Sequence, residues 1–393
     1  MAIQDSDAFL VARSGTNYQT PATDIMAIED TDLLVVNRGG TNYKVTGAEV
    51  KEYSSGGPAR DWKLSVTGLP ADTGFSQLAY NDGRFIGLIG LTIYYSDDDG
   101  LTWNLGRDLP AGVFGALTRA AGAGFLIGGT IPQGNFVSLP IYQSDDGVNN
   151  WALAASIQVG NFFAANGPMG AFYLPITPYG SPRVAFANTD GSTSAAVVVD
   201  SSLTGGLLSY LRVPYNQNYN TSLVSTLGGA SNVAGYAFAG TVSTPTIGVG
   251  SSILGFDQAG AGNSLAGTSG TNSAFVLQAN GNIVGALNSP SYSINTKIYI
   301  TANPTTTVGL TTASPGIGTN AIRCGAWDSG KNVLVMAGTG GSITNSYDGG
   351  LTWKPSDLQY EIPGIAEETF IACQASPTCF ILSSSKMVLR ATI

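Results

Sequence analysis

Histidine is absent from the 393 residues of this chain. Its absence excludes Ser-His-Asp and Cys-His nucleophile systems and removes the commonest ligand of transition metals. Charged residues are also scarce, at 11% of the chain against about 25% in typical globular proteins. The net charge is −9, which argues against the basic stripe that a nucleic-acid-binding surface needs. The sequence therefore predicts no metal site, no cofactor and no nucleic-acid partner.

Long apolar runs and cysteines are few as well. No stretch of about 18 residues is apolar throughout, so we expect no transmembrane helix. The first residues lack the basic and apolar regions of a secretory signal. Of the three cysteines, Cys373 and Cys379 are spaced so that they can face each other across a hairpin. In a chain made in a cytoplasm, two packed thiols are the favoured interpretation.

Three short stretches repeat one pattern, in which Ser and Asp stand two residues apart and Trp follows Ser by seven. They span residues 96–103, 144–151 and 346–353, and we name them box 1, box 2 and box 3. Box 2 has its Gly one place early and lacks the Thr of the other two. The defining residues are Ser96, Asp98, Gly100 and Trp103 in box 1; Ser144, Asp146 and Trp151 in box 2; and Ser346, Asp348, Gly350 and Trp353 in box 3.

These stretches resemble Asp boxes, the Ser-x-Asp-x-Gly-x-Thr-Trp signature of sialidase-type β-propellers. Turn chemistry predicts a structural role for them. Ser and Asp side chains accept hydrogen bonds from backbone one or two residues away, Gly supplies a positive φ, and Trp buries a large ring between sheets. In the resembling family the boxes lie on the outer rim, away from the active face. We interpret the aspartates as turn-stabilising groups, with catalytic acids or calcium ligands as the alternative.

Apolar pairs after Gly- or Asn-containing turns recur at the length of a four-stranded blade, about 40–50 residues, and are taken to mark successive inner strands. A wide gap after the third pair leaves room for a degenerate blade around residues 234–256. The prediction is a mainly β chain with a seven-bladed β-propeller over residues 62–393; six blades plus an insertion is the alternative. Residues 62–66 would form the outer strand that closes the ring against the last blade, residues 370–393. The pairs are Phe85-Ile86, Phe125-Leu126, Phe172-Tyr173, Ile283-Val284, Val333-Leu334 and Phe380-Ile381.

Residues 1–52 form a different unit, followed by a small, polar linker over residues 53–61. The unit contains two copies of a 25-residue repeat, predicted as strand, turn, strand and single-turn helix (ββα), with the helices at residues 23–26 and 46–50. Each repeat is too small to bury its own core, so we expect it to dock on a partner or on copies of itself. The residues expected to carry the docking are Phe9, Val11, Tyr18, Leu34, Val36 and Tyr43. The repeat, with its Gly-Thr-Asn-Tyr turn, is similar to those near the N-termini of phage structural proteins, notably of marine cyanophages.

Enzymatic chemistry finds little support in the sequence. Sialidases that share the Asp box need an arginine triad, a Tyr–Glu pair and an Asp acid, and the arginines here do not fall at comparable positions. Arg107 is expected in a loop, and Arg119 and Arg323 near blade starts. The glutamates at 361, 367 and 368 are interpreted as one solvated, charged loop. The five tryptophans are expected to pack between blades.

The resemblances imply a non-enzymatic virion structural protein of a bacteriophage, such as a capsid decoration, head fibre or tail-associated adhesin. The N-terminal unit would dock to other virion proteins, and the propeller would meet host-surface glycan or a partner protein. We expect no membrane insertion and several copies, or a homo-oligomer, on the particle. The alternatives are a sialidase-like glycan hydrolase and a propeller resembling photosystem II assembly factors.

Overall fold

A computed structural model of the chain describes residues 8–13, 16–21, 33–38, 41–46, 61–65, 67–109, 116–120, 124–129, 131–133, 136–160, 169–175, 177–178, 181–189, 194–200, 207–212, 222–244, 248–256, 262–269, 274–289, 294–306, 309, 311–318, 320–356, 358 and 362–393. The backbone contacts divide the chain into two units. The first covers Met1–Arg60, and the second covers Asp61–Thr392.

The first unit holds, within its described residues, an antiparallel sheet of order β2-β1-β3-β4. Its strands are β1 (Ala8–Arg13), β2 (Thr16–Pro21), β3 (Leu33–Arg38) and β4 (Thr41–Thr46). Each copy of the repeat therefore contributes one hairpin, and the first strands of the two copies pair at the centre. The predicted helical turn at 23–26 lies outside the described residues. So does the one at 46–50, apart from Thr46, which ends β4.

The second unit consists of antiparallel sheets that follow one another along the chain, and its described residues form seven, named here sheets 1 to 7. Sheet 1 contains β6 (Gln77–Asn81), β7 (Arg84–Ile89), β8 (Thr92–Ser96) and β9 (Asn104–Asp108). Sheet 2 contains β10 (Ala116–Arg119), β11 (Phe125–Gly128), β12 (Ile131–Gln133), β13 (Phe136–Ser144) and β14 (Ala152–Gly160). Sheet 3 contains β15 (Met169–Leu174), β16 (Arg183–Thr189), β17 (Ser194–Asp200) and β18 (Leu207–Arg212).

The remaining sheets follow the same plan. Sheet 4 contains β19 (Ser222–Ser231), β20 (Tyr236–Thr244), β21 (Gly248–Phe256) and β22 (Gly262–Ser269). Sheet 5 contains β23 (Ala274–Ala279), β24 (Asn282–Ser289), β25 (Ile294–Thr301) and β26 (Thr311–Ala313). Sheet 6 contains β27 (Ile322–Asp328), β28 (Val333–Gly338), β29 (Ile343–Ser346) and β30 (Lys354–Ser356). Sheet 7 contains β31 (Ala372–Ala375), β32 (Cys379–Ser383), β33 (Val388–Thr392) and β5 (Lys63–Leu64).

The first strands of consecutive sheets contact one another in chain order, from β6 through β10, β15, β19, β23 and β27 to β31. The last of them, β31, contacts β6, so the series of contacts returns to its start. Sheets placed side by side around such a circle form a β-propeller. Short 3-10 segments at Thr339–Gly341 and Ile365–Glu367 connect sheets or strands within it. Among the described residues, none of the helical segments has the length and apolarity that a bilayer crossing requires.

Sheet 7 is completed by a strand from the far end of the unit. Leu64 pairs with Leu389, and Lys63 pairs with Arg390, so β5 is the fourth strand of this sheet. The sequence predicted this pairing for residues 62–66. The strand covers the edge of β33, which would otherwise be open to pairing with another chain.

The core lies between neighbouring sheets. One cluster joins sheets 7 and 1 through Phe75, Phe85 and Ile381, all fully buried. Comparable clusters join sheets 1 and 2, 2 and 3, 4 and 5, and 5 and 6. At these five junctions the face of one sheet is covered by the next, as the blades of a propeller require.

Most of the apolar pairs found in the sequence lie on the second strand of a sheet. Five of the six pairs lie on the second strand of their sheet, for example on β7 and β28, whereas Phe172 and Tyr173 lie on the first strand, β15. The second strand is covered on both faces, and in β28 all six residues are buried. A strand of this kind gives an uninterrupted apolar run. The space left for a degenerate blade, residues 234–256, falls within sheet 4.

Replacing Ser65 by alanine is expected to lower the free energy of unfolding by about 1–3 kcal/mol. The buried Ser65 hydroxyl, directly after β5, donates to the carbonyl of Gly100 and accepts from Trp103 Nε1 at 3.1 Å. Alanine leaves both groups unpaired in a buried place. Urea unfolding of the full chain measures the effect, with the exposed Ser385→Ala as control. Equal midpoints for the two variants would show that this contact does not stabilise the closure.

Candidate functional site

The three boxes connect the third strand of a sheet to the next strand out, and their side chains organise the turn. In box 1, Ser96 Oγ donates to Asp98 Oδ1 at 2.8 Å and accepts from Gly100 N at 2.8 Å. Asp98 also accepts from Thr102, from its N at 2.9 Å and its Oγ1 at 2.5 Å. The hydrogen bonds reach up to four residues along the chain, farther than the one or two expected from the sequence.

Box 3 repeats the geometry of box 1. Ser346 Oγ donates to Asp348 Oδ1 at 2.8 Å and accepts from Gly350 N at 2.9 Å. Thr352 donates to Asp348 from N at 2.8 Å and from Oγ1 at 2.6 Å. Trp353 Nε1 donates to the Gly350 carbonyl at 2.6 Å, so the indole is held by the turn that precedes it.

Box 2 keeps the turn despite its degenerate sequence. Ser144 Oγ donates to Asp146 Oδ1 at 2.8 Å and accepts from Gly147 N at 2.9 Å. Asp146 Oδ1 accepts from Val148 N at 2.9 Å and Asn149 N at 3.1 Å, which replace the bonds that Thr provides in the other boxes. Gly147 stands one place earlier than the glycine of the other boxes, but its N–H still donates to Ser144 Oγ, and its φ is +70°.

The boxes pack against the preceding sheet. A Cβ at Gly147 would lie 2.8 Å from Ile86 Cδ1 of sheet 1, and a Cβ at Gly100 would lie 2.3 Å from Ile381 Cδ1 of sheet 7. Arg390 Nε of sheet 7 donates to the carbonyl of Asp99 at 2.8 Å. Arg84 of sheet 1 donates to the Asp146 carbonyl at 2.8 Å. The boxes thus stabilise contacts between sheets as well as their own turns.

A fourth turn of this kind was missed by the sequence analysis. Between β25 and β26, Thr301 Oγ1 accepts from Asn303 N at 3.0 Å. Asn303 Oδ1 accepts from Thr305 N at 3.0 Å and from Thr305 Oγ1 at 2.7 Å. Thr and Asn replace the Ser and Asp of a box at the same connection and the same two-residue spacing. The sequence signal that could have predicted this turn was an oxygen-bearing pair at two-residue spacing directly after an apolar strand.

The carboxylates of the boxes are held in the ionised form. Burial acts to raise the pKa of Asp146, but the hydrogen bonds from Val148, Asn149 and Ser144 outweigh it and lower this pKa to about 2. For Asp98 and Asp348, burial again acts to raise the pKa, and the bonds from Thr and Ser lower it. The described residues contain no group of three or more His, Cys, Asp or Glu that could hold a metal ion.

A cavity of about 610 Å³ is lined by the first strands of the sheets. One end is formed by residues near the ends of these strands, where each leads into the turn to the second strand. We call this set the mouth ring; it consists of Tyr80, Arg119, Tyr173, Ala230, Gln278, Trp327 and Gln374. On the six strands other than β19, the residues two positions earlier are apolar or glycine and also line the cavity, for example Leu78, Leu117 and Val276.

The cavity contains two arginines at different depths. Arg119, in the mouth ring, has its guanidinium carbon 3.9 Å from the ring centroid of Tyr173. Arg323 lies four residues before Trp327 on β27, about 13 Å farther along the strand at an extended rise per residue. Burial raises the pKa of Tyr80, and the negative charge of Asp99 raises it further. The hydroxyl group of Tyr80 therefore stays neutral. Asp328 is mostly buried and accepts from Lys331 N at 2.7 Å.

The other residues singled out in the sequence take different places. Trp62, Trp103 and Trp353 are buried, and Trp151 is half-buried, whereas Trp327 lines the cavity. Arg107 lies on β9, not in a loop. Glu368 is 6% exposed and accepts from Ser384 Oγ, so it does not belong to a solvated loop. Glu367 is exposed, as predicted, and Glu361 lies outside the described residues.

The cysteines are free thiols. Cys373 pairs with Leu382 and Cys379 with Thr392, so the two do not face each other across the hairpin. Cys379 Sγ instead donates to the Asp99 carbonyl at 3.2 Å. Burial raises the pKa of Cys324 and of Cys373, which keeps both thiols protonated.

The predicted docking residues of the first unit come together in the strand register. Phe9 pairs with Val36, and Val11 pairs with both Tyr18 and Leu34. Val36 also pairs with Tyr43, the sixth predicted residue. Directly paired residues in antiparallel strands occupy the same face of a sheet. The six positions therefore fall on one face of this sheet.

Comparison with solved structures supports the β-propeller fold. The chain is similar to YCF48 from Cyanidioschyzon merolae, with 15% identity, coverage of 84% of this chain and 98% of that one, and a TM-score of 0.50. A structure of YCF48 bound to D1 peptide matches with 15% identity, coverage of 86% and 97%, and a TM-score of 0.50. A chain in the structure of the mitotic checkpoint complex matches with 10% identity, coverage of 86% and 95%, and a TM-score of 0.54. No family model and no curated protein matches the chain.

Replacing Asp146 by alanine is expected to destabilise the second unit by about 2 kcal/mol. The substitution removes the acceptor of two backbone N–H groups and the Ser144 hydroxyl. Asp145→Ala is the matched control, because Asp145 is the exposed neighbour in the same turn. Thermal unfolding followed by near-ultraviolet circular dichroism measures both variants. Equal melting temperatures would contradict a structural role for the box carboxylate.

The contribution of Asp146 to stability is expected to disappear in acid. Its folded pKa, about 2, lies below the unfolded value of about 3.9, so the stabilisation is present above pH 4 and is lost as pH falls through 2. When unfolding is measured at a series of pH values, the difference in free energy of unfolding between the wild-type chain and Asp146→Asn should therefore become smaller from pH 5 to pH 2. A gap that stays constant over this range would overturn the assignment.

Proposed function

We propose that the chain is a non-enzymatic structural protein of a phage virion. In this proposal the repeat-built first unit attaches it to other virion proteins, and the second unit is a seven-bladed propeller, each of sheets 1 to 7 being one blade. The propeller then meets host-surface glycan or a partner protein. A capsid decoration, a head fibre and a tail-associated adhesin all fit this arrangement.

The main support for the proposal is that one chain contains two units of different kinds. The first is a small sheet built from two copies of a repeat, with its apolar docking positions on one face. The second is a large propeller whose box carboxylates are engaged in turns. A small sheet that cannot bury a core by itself is suited to docking, and a rigid propeller is suited to presenting a binding surface.

The chemistry of the cavity supports binding over hydrolysis. Its described lining holds two arginines and one carboxyl group, that of Asp328, which is mostly buried and hydrogen-bonded to a backbone amide. A glycosidase acts with two carboxyl groups about 5–10 Å apart. A lining in which cationic groups outnumber carboxylates is suited to holding an anionic ligand.

Particle composition tests the proposal. We expect the chain in purified virions by mass spectrometry and antibody labelling, and we expect deletion of residues 1–52 from the phage genome to give particles that lack it. The Asp145→Ala phage is the control and should carry the chain at the normal level. Virions without the chain, or particles that retain it after the deletion, would contradict the proposal. Purification with photosystem subunits would instead favour the assembly-factor alternative.

A further inference from the structure

The mouth ring has a charge opposite to that of the chain as a whole. The chain carries a net charge of −9, whereas the seven residues of the ring include one arginine and no carboxyl group. Narrow sites between low-dielectric walls strengthen the field of such a charge. In the whole described lining, Arg119 and Arg323 outnumber the one carboxyl group, that of the mostly buried Asp328, so the cavity favours an anionic group over a neutral or cationic one.

Arg119 is placed to bind this anion. Its guanidinium stacks on Tyr173 at 3.9 Å, which fixes the plane of the group and leaves its N–H edge available. Within the described part of the chain, the guanidinium forms neither an ion pair nor a hydrogen bond. A planar fork of N–H donors matches the two oxygens of a carboxylate.

The rest of the ring suits a sugar. Tyr80 and Trp327 line the cavity and offer aromatic surface for the apolar face of a pyranose. The indole N–H of Trp327 donates to Asn332 Oδ1 at 3.3 Å, so this side chain contributes surface and not a donor. Gln374 Nε2 donates to the Ala375 carbonyl at 3.3 Å, which leaves its amide oxygen to accept from a sugar hydroxyl, and Gln278 also lines the cavity. Ala230 is small and leaves room on one side of the ring. Aromatic rings, amides and one arginine together favour a saccharide that carries a carboxylate over an acidic peptide.

We propose that the mouth ring binds an acidic saccharide of the uronic acid type, with Arg119 on the carboxylate and the aromatic and amide side chains on the sugar. The inference rests on the proposed binding role of the propeller and names its ligand class. Particle composition tests that role separately. A chain that is present on virions but does not bind the saccharide would overturn this inference alone.

Isothermal titration of the full chain with tri-galacturonic acid, and with its fully methyl-esterified form, tests the proposal. We expect the acid to bind and the ester to bind at least about 10-fold more weakly, because esterification removes the charge that Arg119 pairs with. Arg119→Gln should weaken binding of the acid by about 10–100-fold. Arg107→Gln is the matched control and should leave it unchanged, since Arg107 lies on the outer strand β9.

A second variant keeps the test valid if Arg119→Gln does not fold. Gln374→Ala removes one amide of the ring and should weaken the acid about 3–10-fold, the loss of one hydrogen bond. Equal binding of acid and ester, no binding of the acid at millimolar concentration, or equal loss in Arg107→Gln would each overturn the proposal. Tighter binding of a hexaglutamate peptide than of tri-galacturonic acid would overturn the saccharide and favour a peptide.

Discussion

The contact between a box and the sheet before it is the constraint on which the rest of the propeller depends. At Gly147 the backbone of box 2 comes so close to Ile86 of sheet 1 that a methyl group would not fit. The turn can hold this approach only because Ser144 and Asp146 fix its backbone from within. The same arrangement recurs where box 1 meets sheet 7. The polar bonds of the turn and the apolar packing between sheets therefore support each other.

Much of this could be predicted from the sequence, because the boxes carry their own chemistry. Ser and Asp at a fixed spacing before Trp define a turn that is closed by its own side chains, and the same short strand pattern placed β5 beside β33. The turn at Thr301–Thr305 was not predicted because its oxygen acceptors come from Thr and Asn, and the sequence pattern was defined with Ser and Asp. Five of the six apolar pairs lie on the second strand of a sheet because burial on both faces produces an uninterrupted apolar run.

The candidate site was less accessible to sequence reasoning. Its residues come one from each sheet, tens of residues apart, and they share only their position near the end of a first strand. A tyrosine, an arginine, a tryptophan and two glutamines at such positions look unrelated until the sheets are set around one axis. Trp327 shows the difficulty: from the sequence it belongs with the buried tryptophans, and in the structure it lines the cavity.

The pairing of Leu64 with Leu389 also fixes the order of events in folding. The partners stand at opposite ends of the second unit, so β5 has no sheet to join until β33, at the far end of that unit, has been made. The earlier sheets can collapse in turn as they emerge, but each then exposes one face to the next sheet still to come. Closing so long a loop costs chain entropy that local contacts do not repay. We therefore expect the circle to be completed late in folding, and a chain truncated before β33 would leave β5 without a sheet to join.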